Sequence, residues 1–434
     1  MVRVALATLG CKVNQCESAG IAEAVTGRGM VLVPFDQAAD CYVINTCTVT
    51  GRTDYQSRQL IRRALRTNPS AEVFVTGCYA QRAPEEIARI PGVRLIAGNA
   101  EKAGLVDLIG QAGNGSLGVL RGDIRAQRTI SPLGATVFPE HTRAFLKIQD
   151  GCNASCTYCV VPSARGMSRS LPPDRVLERL AELAGAGYRE AVLTGIHLGA
   201  YGRDLTPGTS LAALVRQSAE ERGLDRLRLS SIEPREVTRE LIALFGSGRL
   251  CRHLHIPLQS GDDGILAAMG RNYAADLFAD LIRRVHEAVP GIAVGSDVMA
   301  GFPGESEEAF SNTLRLIEAL PLAYLHVFPF SPRPGTPAAA MPGQIPEAEK
   351  KRRAEVLRRA GTLKRGAFAA SFIGTELAVL VEARTDKSSG LPLGLTDNYI
   401  PVALRGPGTA PNRIVRVRPE SYANGRLIGE VIPP

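Results

Sequence analysis

Tryptophan is absent from this chain of 434 residues, and aromatic residues make up only 5% of it. Stacking on a planar ligand therefore falls to Tyr, Phe or Arg. No apolar run approaches the length of about 20 residues that a membrane-crossing helix needs. The opening Val2-Arg-Val-Ala-Leu-Ala7 reads as a short strand and not as a secretory leader, so a cytoplasmic chain with no membrane partner is expected. Acidic residues are the minority, 43 against 51 Lys and Arg, and the net charge of +8 suits a polyanionic partner. At 45% hydrophobic the chain is globular. Its length exceeds one typical core and points to two or three domains.

Nine cysteines are present. In a large chain without a leader they point to metal or redox chemistry rather than disulfides. Three of them, Cys152, Cys156 and Cys159, stand in Asp150-Gly-Cys-Asn-Ala-Ser-Cys-Thr-Tyr-Cys-Val-Val-Pro-Ser-Ala-Arg-Gly166. What this stretch lacks is a fourth ligand. A closed zinc site takes four, and the nearest further candidate, His197, lies in a different predicted loop. Thiolate is the usual ligand of iron–sulfur clusters. Three thiolates on a four-iron cubane leave one iron open for a substrate. An incomplete zinc site is the alternative. Gly151 and Asn153 permit tight turns, and Tyr158 with the upstream strand Ala144–Gln149 favours the cluster.

Residues 1–110 alternate strand and helix patterns. Strands are expected at Val2–Thr8, Val31–Pro34, Cys41–Asn45, Glu72–Thr76 and Val93–Ile96, with helices around Ser18–Thr26, Arg58–Arg66 and Pro84–Arg89. This is an open, mostly parallel α/β sheet. Residues 111–137 are rich in Gly and small residues and read as a linker. Over 138–370 six further βα units imply a partial barrel rather than a closed eight-unit one. It ends in a basic helix. Residues 371–434 show β runs at Leu377–Glu382, Arg413–Arg418 and Leu427–Ile432, the size of a small all-β barrel.

Cys11, Cys47 and Cys78 each fall just past the C-terminal end of a predicted strand. In open parallel sheets ligands gather beyond those ends. Position by position, buried packing cysteines are the simpler reading. The shared location instead implies a second three-cysteine site. Cys16, Cys41 and Cys251 read as packing residues, with Cys16 the one spare ligand.

The first triad resembles the radical S-adenosylmethionine superfamily, whose hallmark is C-x-x-x-C-x-(aromatic)-C. Thr8-Leu-Gly-Cys-Lys-Val-Asn-Gln15, Asn45-Thr-Cys-Thr48 and Thr76-Gly-Cys78 are similar to the N-terminal domain of its methylthiotransferases. The radical domain of that family is matched by Ser231-Ile-Glu-Pro234, further matches are His255-Ile-Pro-Leu-Gln-Ser-Gly261, Gly301-Phe-Pro-Gly-Glu305 and Ser331-Pro-Arg-Pro-Gly-Thr336, and the tail resembles the RNA-binding TRAM barrel. The resemblance implies a transferase with two 4Fe-4S clusters, on Cys152/Cys156/Cys159 and Cys11/Cys47/Cys78, using two S-adenosylmethionine. One cofactor molecule supplies the methyl group. The other is cleaved to a 5′-deoxyadenosyl radical that activates carbon 2 of an adenine. The Thr8–Gln15 block most resembles the branch acting on N6-threonylcarbamoyladenosine beside the tRNA anticodon. The other branches act on isopentenyladenosine or on a ribosomal-protein aspartate. A non-catalytic iron–sulfur RNA-binding or electron-transfer protein would need two four-cysteine clusters. A radical enzyme whose N-terminal domain binds zinc or nothing is a further alternative. The partners implied are tRNA, a reductant and a sulfur donor.

For the cofactor the candidates are Tyr158, Thr194, Gly195, Ser231, Glu233, Gln259 and Asp297, with Ser260 beside them. No catalytic residue is expected beyond the cluster cysteines. Many radical enzymes carry Gly-Gly-Glu after the second barrel strand. Here Thr194-Gly-Ile-His197 lacks that Glu, so backbone carbonyls or Thr194 must substitute. His253 and His255 read as packing or hydrogen-bonding residues. Arg165 and Arg333 are candidates for substrate or second-cluster contacts, with surface roles equally open. Residues Glu349–Arg365 carry a net +6, whereas the tail from Ser371 carries only +1. Phosphate contacts are therefore expected from Lys350, Lys351 and Arg353. Arg52–Arg66 forms a second basic run. A solvated helix face is the alternative for both.

Overall fold

The computed structural model describes residues 1–111, 118–131, 133–138, 141–220 and 223–433. Residues 112–117 and 132 of the expected linker lie outside the described residues. Six parallel strands form the first sheet: β1 (Arg3–Thr8), β2 (Val31–Val33), β3 (Cys41–Thr46), β4 (Glu72–Gly77), β5 (Val93–Ala97) and β6 (Gly118–Leu120), in the order β2-β1-β3-β4-β5-β6. Central β3 is buried throughout, as expected of a parallel strand covered on both faces. β6 falls in the stretch read as linker and pairs with β5. It is too short to show a pattern in the sequence. Helix α1 (Lys12–Gly27) starts well before the predicted Ser18 because its first turns bury polar Asn14 and Glu17. Those residues hide the apolar periodicity. Helix α2 (Gly51–Thr67) is capped by Thr50, whose hydroxyl accepts from the Thr53 amide. Helix α3 (Cys78–Arg82) leaves β4 directly.

The second unit holds β7 (Ala144–Lys147), the short antiparallel pair β8 (Gln149–Asp150) and β9 (Arg169–Ser170), then β10 (Glu190–Thr194), β11 (Arg226–Leu229), β12 (His253–His255), β13 (Ala293–Ala300) and β14 (Tyr324–Pro329). Strands β11-β10-β7 and β12-β13-β14 form two parallel sheets. Isolated bridges Leu227–Leu250 and Ser231–His255 join them into one curved wall. Among the described residues no ladder links β7 to β14, so the barrel is open along that seam. Helix α1 packs on β7 there, the Cys16 thiol donating to the Phe145 carbonyl at 3.3 Å.

A long helix, Glu347–Ala370, lies along β13 and β14. The tail is a closed barrel of β15 (Leu377–Thr385), β16 (Pro392–Thr396), β17 (Pro401–Arg405), β18 (Ile414–Ala423) and β19 (Arg426–Val431), ordered β15-β16-β17-β19-β18. Strands β16 and β17 escape the sequence pattern because each starts at a proline, which usually argues against a strand interior. The small barrel docks at the beginnings of β11 and β12. Buried Arg228 donates to the carbonyls of Asp397 and Thr396 at 2.9 and 3.1 Å, and Arg252 pairs with Asp397 at 2.7 Å.

Candidate functional site

The order β2-β1-β3 reverses the direction of strand addition between β1 and β3. Such a switch point opens a crevice at the carboxyl ends of the strands. Cys11 follows β1 as the cap of α1, Cys47 follows β3, and Cys78 opens α3 after the neighbouring β4. Two glycines make this convergence possible. Gly10 has φ +102°, and a Cβ there would stand 2.8 and 2.9 Å from the Cβ and Sγ of Cys47. Gly77, at φ +100°, lets β4 turn where any Cβ would collide with the Thr46 backbone.

The loop after β8 carries the other triad. The Ala154 amide donates to Cys152 Sγ and the Val161 amide to Cys159 Sγ, each at 3.4 Å. Arg271 donates to Cys156 Sγ at 3.3 Å. His197, in a different predicted loop by sequence, lies with Nδ1 3.4 Å from Cys152 Sγ, while Nε2 meets Glu236 at 3.0 Å. Burial disfavours its cation, but the bonds to Cys152 and Glu236 prevail and carry it up to about 10. Burial pushes both the Cys47 and Cys159 thiols up to about 12, so a metal ion would be what makes them thiolates. Among the described residues, His255, Asp297 and His326 are the one set of three such ligand atoms lying within 4.8 Å of one another. Neither cysteine triad is that tight. Around one tetrahedral zinc, sulfurs stand about 4 Å apart, whereas a cubane spreads them over separate irons.

Neither Arg165 nor Arg333 is a surface residue. Arg165, on the short helix Val161–Arg165, is 1% exposed. Its Nε donates to Cys78 Sγ at 3.2 Å, and its Nη atoms reach Glu17 at 2.6 Å and Asn14 Oδ1. Glu17 also pairs with Lys102 at 2.5 Å and Lys147 at 2.9 Å. Burial opposes the Glu17 carboxylate, but the three cations prevail and hold it well below the usual range. Arg333 donates to Thr48 Oγ1 at 2.9 Å and pairs with buried Asp54. The loop after β14 thereby clamps the segment following Cys47, and Ser331 Oγ accepts from the Gly51 amide at 3.1 Å.

The remaining candidates separate into two groups. Glu233 pairs with Arg271, yet burial still raises its carboxyl. It lines a cavity of about 650 Å³ with Cys156, His197 and Arg271. Gly195 lies where a Cβ would meet Gln149 Oε1 at 2.8 Å. That oxygen accepts from the His197 amide at 2.7 Å. Thr194 is buried at the end of β10, and Tyr158 packs edge-on against Phe302 at 6.5 Å. Ser231 is exposed at the bridge to His255. Gln259 adopts φ 66° beside β13. Asp297 accepts from His255 at 2.9 Å and His326 at 3.3 Å, which hold its carboxyl low against burial. By contrast Ser260 is fully buried, bonded to Thr313 and to the Asp262 amide, and offers nothing to a ligand. His253 and His255 both meet the Tyr324 hydroxyl, at 2.8 and 3.1 Å. Buried Cys16, Cys41 and Cys251 are packing residues.

The basic helix departs from expectation. Lys350 and Arg353 are 6% and 5% exposed. Lys350 lies over the Phe330 ring and under Gly301, and Arg353 pairs with Glu305 at 2.7 Å and Glu349 at 2.6 Å. Charge counting cannot see this, because a fully buried carboxylate outside the helix consumes the charge. Of the three expected phosphate contacts only Lys351 is exposed, alongside Arg358 and Arg359.

Residues 3–98 match the Uncharacterized protein family UPF0004, and residues 146–317 match the Radical SAM superfamily. The chain is 41% identical over 424 residues to the threonylcarbamoyladenosine tRNA methylthiotransferase MtaB of Bacillus subtilis, covering 96% of this chain and 94% of that protein. The protein of the same name from Aquifex aeolicus is 37% identical, over 93% of this chain and 97% of its own length. The tRNA-2-methylthio-N(6)-dimethylallyladenosine synthase of Pelotomaculum thermopropionicum is 32% identical, over 98% and 96%. Among solved structures, the radical S-adenosylmethionine methyltransferase TsrM of Kitasatospora setae shares the fold, at TM-score 0.55 and 17% identity over 78% of this chain and 77% of that one. No helix of the described residues is long and apolar enough to cross a membrane.

Proposed function

Because the chain belongs to the radical S-adenosylmethionine methylthiotransferase family, we propose that it methylthiolates carbon 2 of N6-threonylcarbamoyladenosine beside the anticodon of tRNA. The likeness over nearly the whole chain to relatives bearing that name carries the reading. The donor chemistry agrees with it. Cys152, Cys156 and Cys159 would hold one 4Fe-4S cluster, and Cys11, Cys47 and Cys78 the other. Each set offers three thiols and meets a guanidinium, Arg271 at Cys156 and Arg165 at Cys78. When bound, the clusters and two S-adenosylmethionine supply the sulfur site, the methyl group and the radical that activates a C–H bond.

The protein's own part is charge compensation, positioning and exclusion of water. Arg271, His197 and the Ala154 and Val161 amides offset the thiolate charge of the first set, and Arg165 does so for the second. Thr194, Gly195, Ser231, Glu233, Gln259, Asp297 and Tyr158 are the proposed cofactor contacts. The buried Glu17–Arg165–Lys102–Lys147 network ties the first unit to the barrel. The division of labour is then 1–110 for the sulfur-donating site, 138–370 for the radical site and 371–434 for RNA, with 111–137 joining the first two. A reductant, a sulfur donor and a cytoplasmic setting, where tRNA is found, complete the proposal.

The test is mass spectrometry of tRNA nucleosides from cells with and without the protein. Methylthiolated threonylcarbamoyladenosine should vanish on its removal. Loss of a methylthio group from dimethylallyladenosine instead, or from an aspartate in parallel mass spectrometry of ribosomal proteins, would assign the chain to another branch.

A further inference from the structure

The seam between β7 and β14 is lined by cations. A cavity of about 670 Å³ opens there, bounded by Lys12 and Gln15 of α1, Arg143 before β7, and Glu382, Arg384 and Tyr399 of the small barrel. Three units thus meet at one opening. Lys12 directly follows Cys11, so the cavity adjoins the Cys11/Cys47/Cys78 set.

Its charges do not cancel. Glu382 is the one carboxylate on this wall, and it is already shared by Arg143 at 3.5 Å and Arg384 at 2.7 Å. Arg143 also lies over the Tyr399 ring at 5.9 Å, and its one other carboxylate among the described residues is the distant Glu190, at 4.0 Å, which Arg228 takes at 2.6 Å. The Lys12 ammonium pairs with no described residue, although its side chain is half-buried. A second cavity, of about 250 Å³, shares Arg143, Arg384 and Tyr399 and continues to His326 and exposed Arg365. The His326 ring pairs with Asp297 at the barrel mouth. A half-buried cation without a partner, beside a second cation whose own partner is shared, is a site short of one anion.

We propose that Lys12, with Arg143, binds the carboxylate of the threonylcarbamoyl group and so distinguishes this substrate from an adenosine carrying an apolar N6 substituent. The inference rests on the function proposed above and names the subsite that would read its substrate. Phosphates of the RNA would follow the outer cations, Arg384 and Arg365. The N6 substituent lies on the same base as the reacting carbon, so its anchor belongs within a side chain's reach of Cys11. Lys12 meets that requirement. A desolvated ammonium–carboxylate pair discriminates against a neutral analogue by leaving the ammonium unpaired.

The test uses the full protein and three anticodon stem-loop RNAs. One carries N6-threonylcarbamoyladenosine, one its carboxyl methyl ester, and one plain adenosine. Dissociation constants are read by fluorescence anisotropy, without added reductant, so no turnover is needed. The wild-type protein should bind the free acid about tenfold more tightly than the ester. Lys12→Gln should erase that ratio while leaving affinity for the ester and for plain adenosine unchanged, which also shows that the variant is folded. Lys12→Arg should retain most of the ratio. Equal binding of acid and ester by the wild-type protein, or an unaltered ratio in Lys12→Gln, overturns the inference. A separate turnover assay with the wild-type protein keeps the two proposals apart. Methylthiolation of the free-acid RNA together with an unaltered ratio discards only the subsite, whereas no methylthiolation of that RNA discards the function itself.

Discussion

Arg165 donates from Nε to the Sγ of Cys78 at 3.2 Å, across 87 residues of sequence. Arg165 comes six residues after Cys159, so the helix that closes one cysteine loop reaches into the other site. The guanidinium is one physical link between the first sheet and the barrel. It is affordable only because Glu17, Asn14 and Asp150 receive its remaining donors.

Replacing Arg165 with Leu should therefore do more than weaken one contact. Glu17 would keep Lys102 and Lys147 but lose its one guanidinium partner among the described residues. Breaking a buried ion pair costs about 3–5 kcal/mol, and urea unfolding of the metal-free protein should show a loss of that order. Arg165→Lys should recover part of the stability without the contact to Cys78. A loss below about 1 kcal/mol for Leu would mean that the network relaxes around the gap.

The two cysteine sets should separate by function. The triple Ala variant of Cys152, Cys156 and Cys159 should halve an iron content of about eight per chain and stop cleavage of S-adenosylmethionine. The triple Ala variant of Cys11, Cys47 and Cys78 should still cleave the cofactor yet yield no methylthio product. Iron and sulfide analysis of anaerobically prepared protein, with chromatographic assay of cleavage, decides both. Normal product from the second variant would leave those three cysteines as core residues.

Along Glu347–Ala370 the consequences of removing charge should depend on burial. Arg353→Ala leaves Glu305 buried without its guanidinium, so a stability loss of about 3 kcal/mol is expected. Joint replacement of exposed Lys351, Arg358 and Arg359 by Ala should leave stability within about 0.5 kcal/mol. If these cations face RNA, it should also flatten the salt dependence of tRNA binding by about one unit of slope per lost contact. An unchanged slope would assign this face to solvent.

His253 offers a test by pH. Burial disfavours its cation, and the Arg228 charge adds to the effect, so its folded-state pKa lies well below the ordinary value of 6.5. Its ring is held neutral, stacked on Tyr399 at 4.3 Å and bonded to the Tyr324 hydroxyl. Below pH 6.5 the unfolded chain takes up a proton that the folded chain refuses. Stability from this group is therefore complete above about pH 6.5 and falls by up to about 1.4 kcal/mol per pH unit beneath it. The wild-type protein should lose more stability than His253→Gln between pH 7.5 and 5.5 in denaturant titrations. Equal losses would show that the ring protonates in place.

Patterns that depend on near neighbours were legible along the chain. Short β-rich runs placed five of the six strands of the first sheet, and the Cys152–Cys159 spacing marked its loop. The positions of Cys11, Cys47 and Cys78 past strand ends pointed to one crevice, because a parallel sheet presents those ends together. Polar burial defeated the same reasoning elsewhere. Asn14 and Glu17 hid the start of α1, and prolines hid β16 and β17.

Partners far apart in sequence were settled only by the fold. His197 belongs to a different predicted loop, 45 residues from Cys152, yet the turn after β10 returns it to 3.4 Å from that sulfur. Lys350 and Arg353 counted as free charge until packing brought Phe330 over one and Glu305 against the other. Lys12 shows the converse, since only the open seam between β7 and β14 reveals an ammonium without a partner. Local propensity and motif spacing are properties of neighbouring residues, and the chain carries them whatever its path. Whether a charge is spent, shared or left open depends on which distant groups the packed core brings within a few ångströms, and that is decided by the tertiary structure alone.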